Sequence, residues 1–200
     1  MKRIAVLISN KGEGTNLQAI IDGVKSGKIN GEIALVVSDS ENAYGLARAR
    51  NANIPTLVIS KEDNLEQILK DHKIDYICLG GWKQIIPDSL IDVFPKRILN
   101  IHPGLIPDTP DGVVKNPDGT DGLWNKGKFT EKAIQNFLDS KVTYAGSTVH
   151  LLSREFDFGS VLERVFIKIE PGNTVMSLYQ RLKVKENEAY VKALERICNE

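Results

Sequence analysis

The sequence predicts an α/β protein with a doubly wound, mostly parallel sheet, followed by a C-terminal strand pair and a long terminal helix. Short apolar runs without alternation recur through the first half, and such runs are typical of strands buried on both faces. Between them lie segments whose apolar residues recur at helical spacing. Strands that alternate with helices in this way favour a parallel sheet, in which ligands bind at the carboxyl ends of the strands.

The predicted elements follow the chain in order. The predicted strands cover residues 2–9, 32–38, 56–59, 75–79, 97–101, 143–152 and 161–169. The first predicted helix begins at Thr15, which is the expected N-cap residue. The other predicted helices cover residues 44–51, 64–72, 87–93, 129–140 and 174–197. The last helix is amphipathic, with these expected core contacts: Leu178, Leu182, Tyr190, Leu194 and Ile197. No repeat or low-complexity linker interrupts the chain, so residues 1–200 are expected to form one domain.

Composition excludes several classes of protein. The chain is 42% hydrophobic and 26% charged, as expected for a soluble globular protein. Lys and Arg number 26, as do Asp and Glu, which leaves no basic footprint for nucleic acid. No run approaches the roughly 20 apolar residues of a membrane helix, and the apolar run 4–8 is too short for a signal peptide. Two cysteines form neither a disulfide framework nor a zinc pattern, so a cytoplasmic protein is expected.

One strand ends with an amide and an imidazole on the same face. Asn100 and His102 are two positions apart, and Pro103 stops the strand directly afterwards. Such a pair at the carboxyl end of a strand could hold a developing oxyanion and handle a proton. A core Asn and His satisfied by backbone groups remain the alternative.

Two other segments could contribute to a site. Glycines in residues 12–16 join a buried strand to a helix, where backbone N–H groups and the helix dipole can hold an anion. No Lys-Ser/Thr follows and Leu17 occupies the third glycine position, so a phosphate monoester fits better than a pyrophosphate. Asp157 could keep a nearby histidine charged. A plain glycine turn and an ordinary turn aspartate are the alternatives, and a structural role is expected for His150.

Residues 108–127 are polar and rich in Asp, Gly and Asn. A loop of this length within a compact domain is usually a lid or a disordered segment. Residues 116–121 do not match a calcium loop, because the ligand spacing fails and Gly127 stands where the terminal Glu belongs. No metal is expected.

These motifs together resemble the folate-dependent formyltransferases, in their glycinamide ribonucleotide branch. The family pattern Asn-x-His-Pro-Ser-Leu-Leu-Pro corresponds to Asn-Ile-His-Pro-Gly-Leu-Ile-Pro at residues 100–107. Its Gly-Thr-Ser-Val-His and Leu-Asp-x-Gly correspond to residues 146–150 and 156–159, and its Gly-Ser-Asn-Leu-Gln-Ala-Ile to residues 14–20. A further match covers residues 43–49, and the resemblance extends from about residue 4 to residue 190.

The resemblance implies a Rossmann-like formyltransferase fold and the transfer of a formyl group from 10-formyltetrahydrofolate to the amine of glycinamide ribonucleotide. It implies that protonated His102 and the amide of Asn100 hold the tetrahedral oxyanion, while Asp157 keeps His102 charged and helps to relay the amine proton. Residues 1–100 would form the phosphate- and substrate-binding half, and residues 101–200 the folate-binding and catalytic half. The implied ligand contacts are Gly14, Thr15 and Asn16 for the substrate phosphate, Glu186 for its ribosyl part, and Trp82, Lys83, Gln84, Ile85 and Ile86 for the folate. The implied partners are small molecules, with a monomer or homodimer as the expected assembly.

The chain departs from the family pattern at several places. The loop 9–14 is slightly longer than usual, and Gln84 replaces an arginine of the folate segment. Residues 110–127 replace a short connection, and the histidines that begin the family's next helix have no counterpart near residues 129–131. This segment could be a lid, reshape the acceptor pocket or be disordered. Glu186 could also be a solvated helix residue near Lys183 and Lys185.

Four other functions remain as alternatives. A methionyl-tRNA formyltransferase is expected to carry a further domain and basic surface, and a sugar-nucleotide formyltransferase would not need the glycine-rich loop. A nicotinamide oxidoreductase would leave Asn100 and His102 unused. A ligand-binding descendant without catalytic activity is compatible with the altered folate segment.

Overall fold

The computed structural model describes residues 1–10 and 12–199, so Lys11 of the predicted phosphate loop lies outside the described residues. The chain divides into two compact units. Unit 1 comprises Met1–Asn100 and Tyr190–Glu200, and unit 2 comprises Ile101–Ala189. The prediction of a single domain stays a prediction.

Unit 1 contains a parallel sheet with the strand order β3-β2-β1-β4-β5. Its strands are β1 (Lys2–Ile8), β2 (Gly31–Ser38), β3 (Thr56–Val58), β4 (Tyr76–Leu79) and β5 (Ile98–His102). The last two residues of β5 belong to unit 2. The intervening helices are α1 (Thr15–Lys25), α2 (Tyr44–Asn51), α3 (Leu65–Asp71) and α4 (Asp88–Val93). All four strand pairings are parallel, as the alternation of strands and helices predicts.

Strand β1 lies at the centre of the strand order in unit 1, and this position accounts for its burial. Its residues 4–8 are at most 2% exposed, and β2 and β4 pair with it on its two sides. In register, Val6 pairs with Val36 of β2 and with Cys78 of β4. Its carboxyl end leads directly to Ser9 and the loop before α1.

Unit 2 contains the end of β5 followed by an antiparallel strand pair. The pair consists of β6 (Tyr144–Leu151) and β7 (Val161–Lys168), with Tyr144 opposite Lys168. Helix α5 (Thr130–Asp139) and the first part of α6 (Val175–Asn199) belong to this unit. Their apolar faces share a core cluster with the strands: Ile134, Phe137, Ala145, Ile167, Leu178 and Leu182.

The predicted α/β class, with a mostly parallel sheet, a late strand pair and a long final helix, is confirmed. The five expected core contacts of α6 are all buried. The predicted cap of α1 is wrong, because Gly14 occupies the N-cap position with φ 68° and Thr15 is already helical. Among the described residues, no helix has both the length and the apolar character that a membrane span requires.

Candidate active site

The end of β5 positions His102. The strand buries this side chain to 2% exposure, while Asn100, two positions earlier on the same strand, is half-buried. A tight turn follows, in which the N–H of Gly104 donates to the carbonyl of His102 (2.8 Å). Pro103 supplies no N–H to extend the strand, which accounts for the abrupt end.

Both ring nitrogens of His102 face acceptors. Nε2 lies 2.7 Å from the main-chain carbonyl oxygen of Trp124, and since a carbonyl only accepts, Nε2 carries a proton. Nδ1 lies 3.6 Å from Oδ1 of Asp157, which is an ion-pair distance and longer than a hydrogen bond. The structure therefore brings together two of the three predicted catalytic residues within unit 2.

Asp157 is held from several sides. It lies in the turn between β6 and β7 with φ 51°, a backbone conformation that Asp and Asn tolerate better than most residues. Its Oδ2 accepts from the N–H of Gly127 (2.7 Å), and its main-chain oxygen accepts from Nε1 of Trp124 (3.0 Å). Burial raises the pKa of Asp157, but His102 and the Gly127 N–H outweigh it, so the pKa is lowered and the carboxylate is favoured.

His150 lies on β6 and is 0% exposed. Burial, followed by the charge of His102, lowers the pKa of His150 to about 4. The imidazole of His150 is therefore neutral near pH 7.

Sequence reasoning did not single out Trp124. Its ring lies 5.8 Å from that of Phe158, and Nζ of Lys126 lies 4.6 Å from its centroid. The available signal for Trp124 was a large aromatic residue within an otherwise polar loop, because aromatic side chains stabilise a fold most when they are packed against other residues.

The loop before α1 ends in a glycine turn. Gly14 takes a left-handed conformation, and a Cβ there would lie 3.0 Å from Cα of Gly45. The first turn of α1 carries no acidic residue. Oγ1 of Thr15 is buried without a hydrogen-bond partner among the described residues, and Asn16 follows it in the same turn.

Arg48 of α2 reaches this loop. Its Nε donates to the carbonyl of Glu13 (2.9 Å) and its Nη1 to Oε1 of Gln18 (3.1 Å). The guanidinium therefore places a positive charge beside the glycine turn while it orders the turn's backbone. The motif at residues 43–49 contains this arginine, but sequence alone gave it no role at the loop.

The predicted folate segment, residues 82–86, is an irregular stretch of unit 1 between β4 and α4. The N–H of Lys83 donates to Oγ of Ser9 (3.0 Å), and that hydroxyl donates to Oδ2 of Asp39 (2.7 Å). Nε2 of Gln84 donates to the same carboxylate oxygen (3.1 Å). These bonds anchor the segment beside the carboxyl ends of β1 and β2.

Three apolar or aromatic members of this segment differ in exposure. Ile85 is 84% exposed, whereas Trp82 and Ile86 are partly buried. Nε1 of Trp82 is buried without a hydrogen-bond partner among the described residues. The segment therefore offers an exposed apolar side chain together with an unsatisfied donor.

Glu186 lies on the part of α6 that belongs to unit 2. It is 6% exposed and accepts from Oγ of Ser147 on β6 (2.6 Å). Burial raises the pKa of Glu186, although the hydrogen bond and Lys183 oppose this. The alternative of a solvated helix residue is therefore wrong. The described residues contain no group of three or more His, Cys, Asp or Glu that could hold a metal.

Comparison with known proteins shows a consistent relationship. The formyl transferase family model matches residues 2–194. The chain is 31% identical to "Phosphoribosylglycinamide formyltransferase, chloroplastic" of Arabidopsis thaliana over 209 residues, covering 100% of this chain. It is 30% identical over 206 residues to the human "Trifunctional purine biosynthetic protein adenosine-3", covering 98% of this chain.

Among solved structures, glycinamide ribonucleotide transformylase 1 from Symbiobacterium toebii is similar, with a TM-score of 0.84 and 33% identity. That match covers 100% of this chain and 88% of the other. The chain spans only 66% of the Arabidopsis relative and 18% of the human one.

Proposed function

This chain belongs to the formyl transferase family, and we propose that it transfers a formyl group from 10-formyltetrahydrofolate to the amine of glycinamide ribonucleotide in purine biosynthesis. The observation that carries this proposal is the pair that His102, at the end of β5, forms with Asp157 in the turn between β6 and β7. The names of relatives at about 30% identity over the whole chain support the choice of substrates.

We assign the chemical step to Asn100, His102 and Asp157. The substrate amine attacks the formyl carbon, and negative charge develops on the formyl oxygen. A charged imidazole at His102 and the amide of Asn100 stabilise that oxyanion. The ionised carboxylate of Asp157 favours the imidazolium, because opposite charges at this distance stabilise each other. The same pair relays the amine's proton to N10 of the folate as the bond between N10 and the formyl carbon breaks, so that tetrahydrofolate leaves and the substrate amine carries the formyl group.

The neutral state of His150 supports this assignment. A second positive charge in the buried surroundings of His102 would disfavour the imidazolium. Because the pKa of His150 is lowered to about 4, it carries no such charge at neutral pH.

We assign the substrate phosphate to Gly14, Thr15 and Asn16. Backbone N–H groups at the start of α1 favour an anion, and the positive charge of Arg48 beside Glu13 adds to that preference. We assign the ribosyl hydroxyls to Glu186, whose carboxylate already accepts from Ser147 and has further lone pairs for two donors.

We assign the folate to residues 82–86. The exposed side chain of Ile85 can cover an apolar ring face, and main-chain groups of the segment can pair with the polar edge of a pterin. The uncharged amide of Gln84 donates to Asp39, so Gln84 does not replace the charge of the family's arginine.

The test is the release of tetrahydrofolate after the protein is mixed with 10-formyltetrahydrofolate and glycinamide ribonucleotide. We expect turnover by the wild type and a loss of about 10²- to 10³-fold in His102→Ala, because one oxyanion donor is removed. His72→Ala is the matched control, since His72 caps α3 within unit 1 and should leave the rate unchanged.

Other outcomes identify which part of the proposal fails. Binding of glycinamide ribonucleotide without turnover would contradict the assignment of residues 82–86 to the folate. Binding of neither substrate would overturn the proposed acceptor, and amino sugars would then be the next acceptors to assay. A cytoplasmic location and a monomeric or homodimeric state stay predictions, to be checked by fractionation of cells and by sedimentation.

A further inference from the structure

Segment 124–127 of the loop after β5 contacts both members of the catalytic pair. The carbonyl of Trp124 accepts from Nε2 of His102 (2.7 Å), and its indole N–H donates to the main-chain oxygen of Asp157 (3.0 Å). The N–H of Gly127 donates to Oδ2 of the same aspartate (2.7 Å). One short segment thus fixes an imidazole, a carboxylate and the backbone that carries the carboxylate.

The direction of these hydrogen bonds determines which ring nitrogen is available for chemistry. Because the Trp124 carbonyl can only accept, the Nε2 proton of His102 is committed to the loop. Nδ1 faces Oδ1 of Asp157 at 3.6 Å, too long for a strong hydrogen bond. Nδ1 is therefore the nitrogen that can exchange a proton with a ligand, or donate to an oxyanion, while it stays beside the carboxylate.

Gly104 makes this arrangement sterically possible. A Cβ at Gly104 would lie 1.8 Å from the carbonyl oxygen of Trp124 and 2.6 Å from its carbonyl carbon. Neither distance is compatible with a side chain, so the loop can deliver this carbonyl to His102 only across a glycine. The contact between the loop and His102 therefore depends on the absence of a side chain at Gly104.

We propose that Trp124 is a positioning residue: with Gly104 and Gly127, it locks His102 as the Nε2–H form, directs Nδ1 to the reaction and orients Asp157. The inference rests on the proposed formyl transfer and adds to it the tautomer and the loop that sets it. Trp124 itself touches no reacting atom; it acts through His102 and Asp157.

The packing around the indole of Trp124 supports a fixed position for segment 124–127. Phe158 lies against the ring (5.8 Å between centroids), and Lys126 covers it while forming an ion pair with Glu155 (2.9 Å). The ionisable groups that interact with His102 among the described residues are Asp157 and His150.

The first measurement uses the wild type and does not need turnover. Nitrogen-15 NMR of the imidazoles, with His102 assigned by comparison with His102→Ala, distinguishes a protonated Nε2 from a bare one. We expect Nε2 to stay protonated from pH 6 to pH 9 and its proton to exchange slowly with water. A bare Nε2 with a protonated Nδ1 would overturn the proposal.

Two variants separate the contacts. Trp124→Phe keeps the carbonyl and an aromatic ring but loses the indole N–H, so we expect kcat to fall about fivefold to tenfold with both KM values within about twofold. Gly104→Ala displaces the carbonyl, so we expect loss of Nε2 protection, a changed pH–rate profile and a drop in kcat of about 10²-fold. Lys132→Ala, at an exposed position of α5 in the same unit, is the control and should match the wild type in all three readouts.

The outcomes keep this inference distinct from the proposed function. If no formyl transfer occurs, the proposed function fails, and the NMR result alone decides the role of Trp124. If transfer occurs but a folded Trp124→Phe variant keeps the wild-type kcat and pH profile, the positioning role is wrong. If Gly104→Ala does not fold, the NMR spectrum of the wild type and the kinetics of Trp124→Phe still decide it.

Discussion

Gly104 and Trp124 fit together at a single point: the missing Cβ of the glycine leaves the space that the tryptophan carbonyl occupies, 1.8 Å from where that Cβ would stand. The carbonyl that occupies this space accepts from Nε2 of His102 (2.7 Å), so the absence of a side chain at Gly104 permits the contact between the loop and the imidazole.

Asp157→Asn tests the carboxylate without disturbing the turn. Asn tolerates the positive φ of 51° at this position, so the variant should fold with little loss of stability. Without the charge beside His102 the imidazolium is no longer favoured, and we expect kcat to fall by up to about 10⁴-fold, the loss seen when an orienting aspartate is neutralised. Steady-state kinetics with unchanged thermal unfolding would establish this, and activity near the wild-type level would rule out a role for the charge.

His150 should make the protein less stable in acid. Its pKa is lowered from 6.5 to about 4 in the folded state, so the unfolded chain binds a proton at a higher pH than the native one. The stability from the neutral imidazole is complete above pH 6.5 and is lost as the pH falls towards 4, by about 3 kcal/mol. Urea titrations at several pH values should show a shallower dependence in His150→Gln than in the wild type or in His72→Gln. Equal slopes in all three proteins would contradict the prediction.

Glu186→Gln should separate binding from stability. The pKa of Glu186 is raised by burial, so its contribution is favourable below pH 4.5 and is lost as the pH rises through the folded-state pKa. A permanently neutral amide that still accepts from Ser147 removes this cost, and we expect the free energy of unfolding at pH 7 to rise by about 1 kcal/mol.

The same substitution removes the negative acceptor proposed for the ribosyl hydroxyls. We therefore expect KM for glycinamide ribonucleotide to rise about tenfold while the protein becomes more stable. Glu188→Gln is the matched control on the same helix, because Glu188 is exposed and forms an ion pair with Lys185 (2.8 Å). A lower stability of Glu186→Gln, or an unchanged KM, would contradict one half of the prediction or the other.

Gly14→Ala should damage the phosphate loop for two separable reasons. The φ of 68° disfavours any Cβ, and this Cβ would also press on Cα of Gly45 at 3.0 Å. Gly27→Ala isolates the first effect, because Gly27 has φ 75° with no atom within 4 Å of the added carbon. We expect about 1 kcal/mol of lost stability in Gly27→Ala and roughly twice that in Gly14→Ala, together with a KM increase for glycinamide ribonucleotide only in the latter. Chemical unfolding and kinetics of both variants check this, and identical losses would show that the contact with Gly45 is relieved without cost.

The elements of the sheet were predictable because their signals are local. The continuous apolar run of β1 and the helical spacing within α1 and α6 depend only on nearby residues, and the predicted bounds lie within a residue or two of the observed ones. The cap of α1 was missed because a glycine in the left-handed conformation leaves no side-chain signal distinct from that of the neighbouring threonine.

The residues of the proposed site were likewise predictable only where their signal lies in the local sequence or in the order of the motifs. Spacing alone put Asn100 and His102 on one face of a strand, and the ordered motifs then selected Asp157 as the partner. Sequence could not show that Glu186 is buried against Ser147, because Lys183 and Lys185 make its surroundings look solvated.

The sequence by itself therefore determined the class of fold, and it predicted the strand and the histidine of the proposed site, since each depends on periodicity or on motif order. Only the tertiary structure decided which ring nitrogen of His102 is committed to the backbone and how Asp157 is held. Those contacts join residues 22 to 33 positions apart across an irregular loop. One partner in each of these hydrogen bonds is a main-chain carbonyl or N–H group, which nearly every residue possesses. A main-chain acceptor has no signature in the amino-acid code, so its position emerges only once the chain has folded around Gly104.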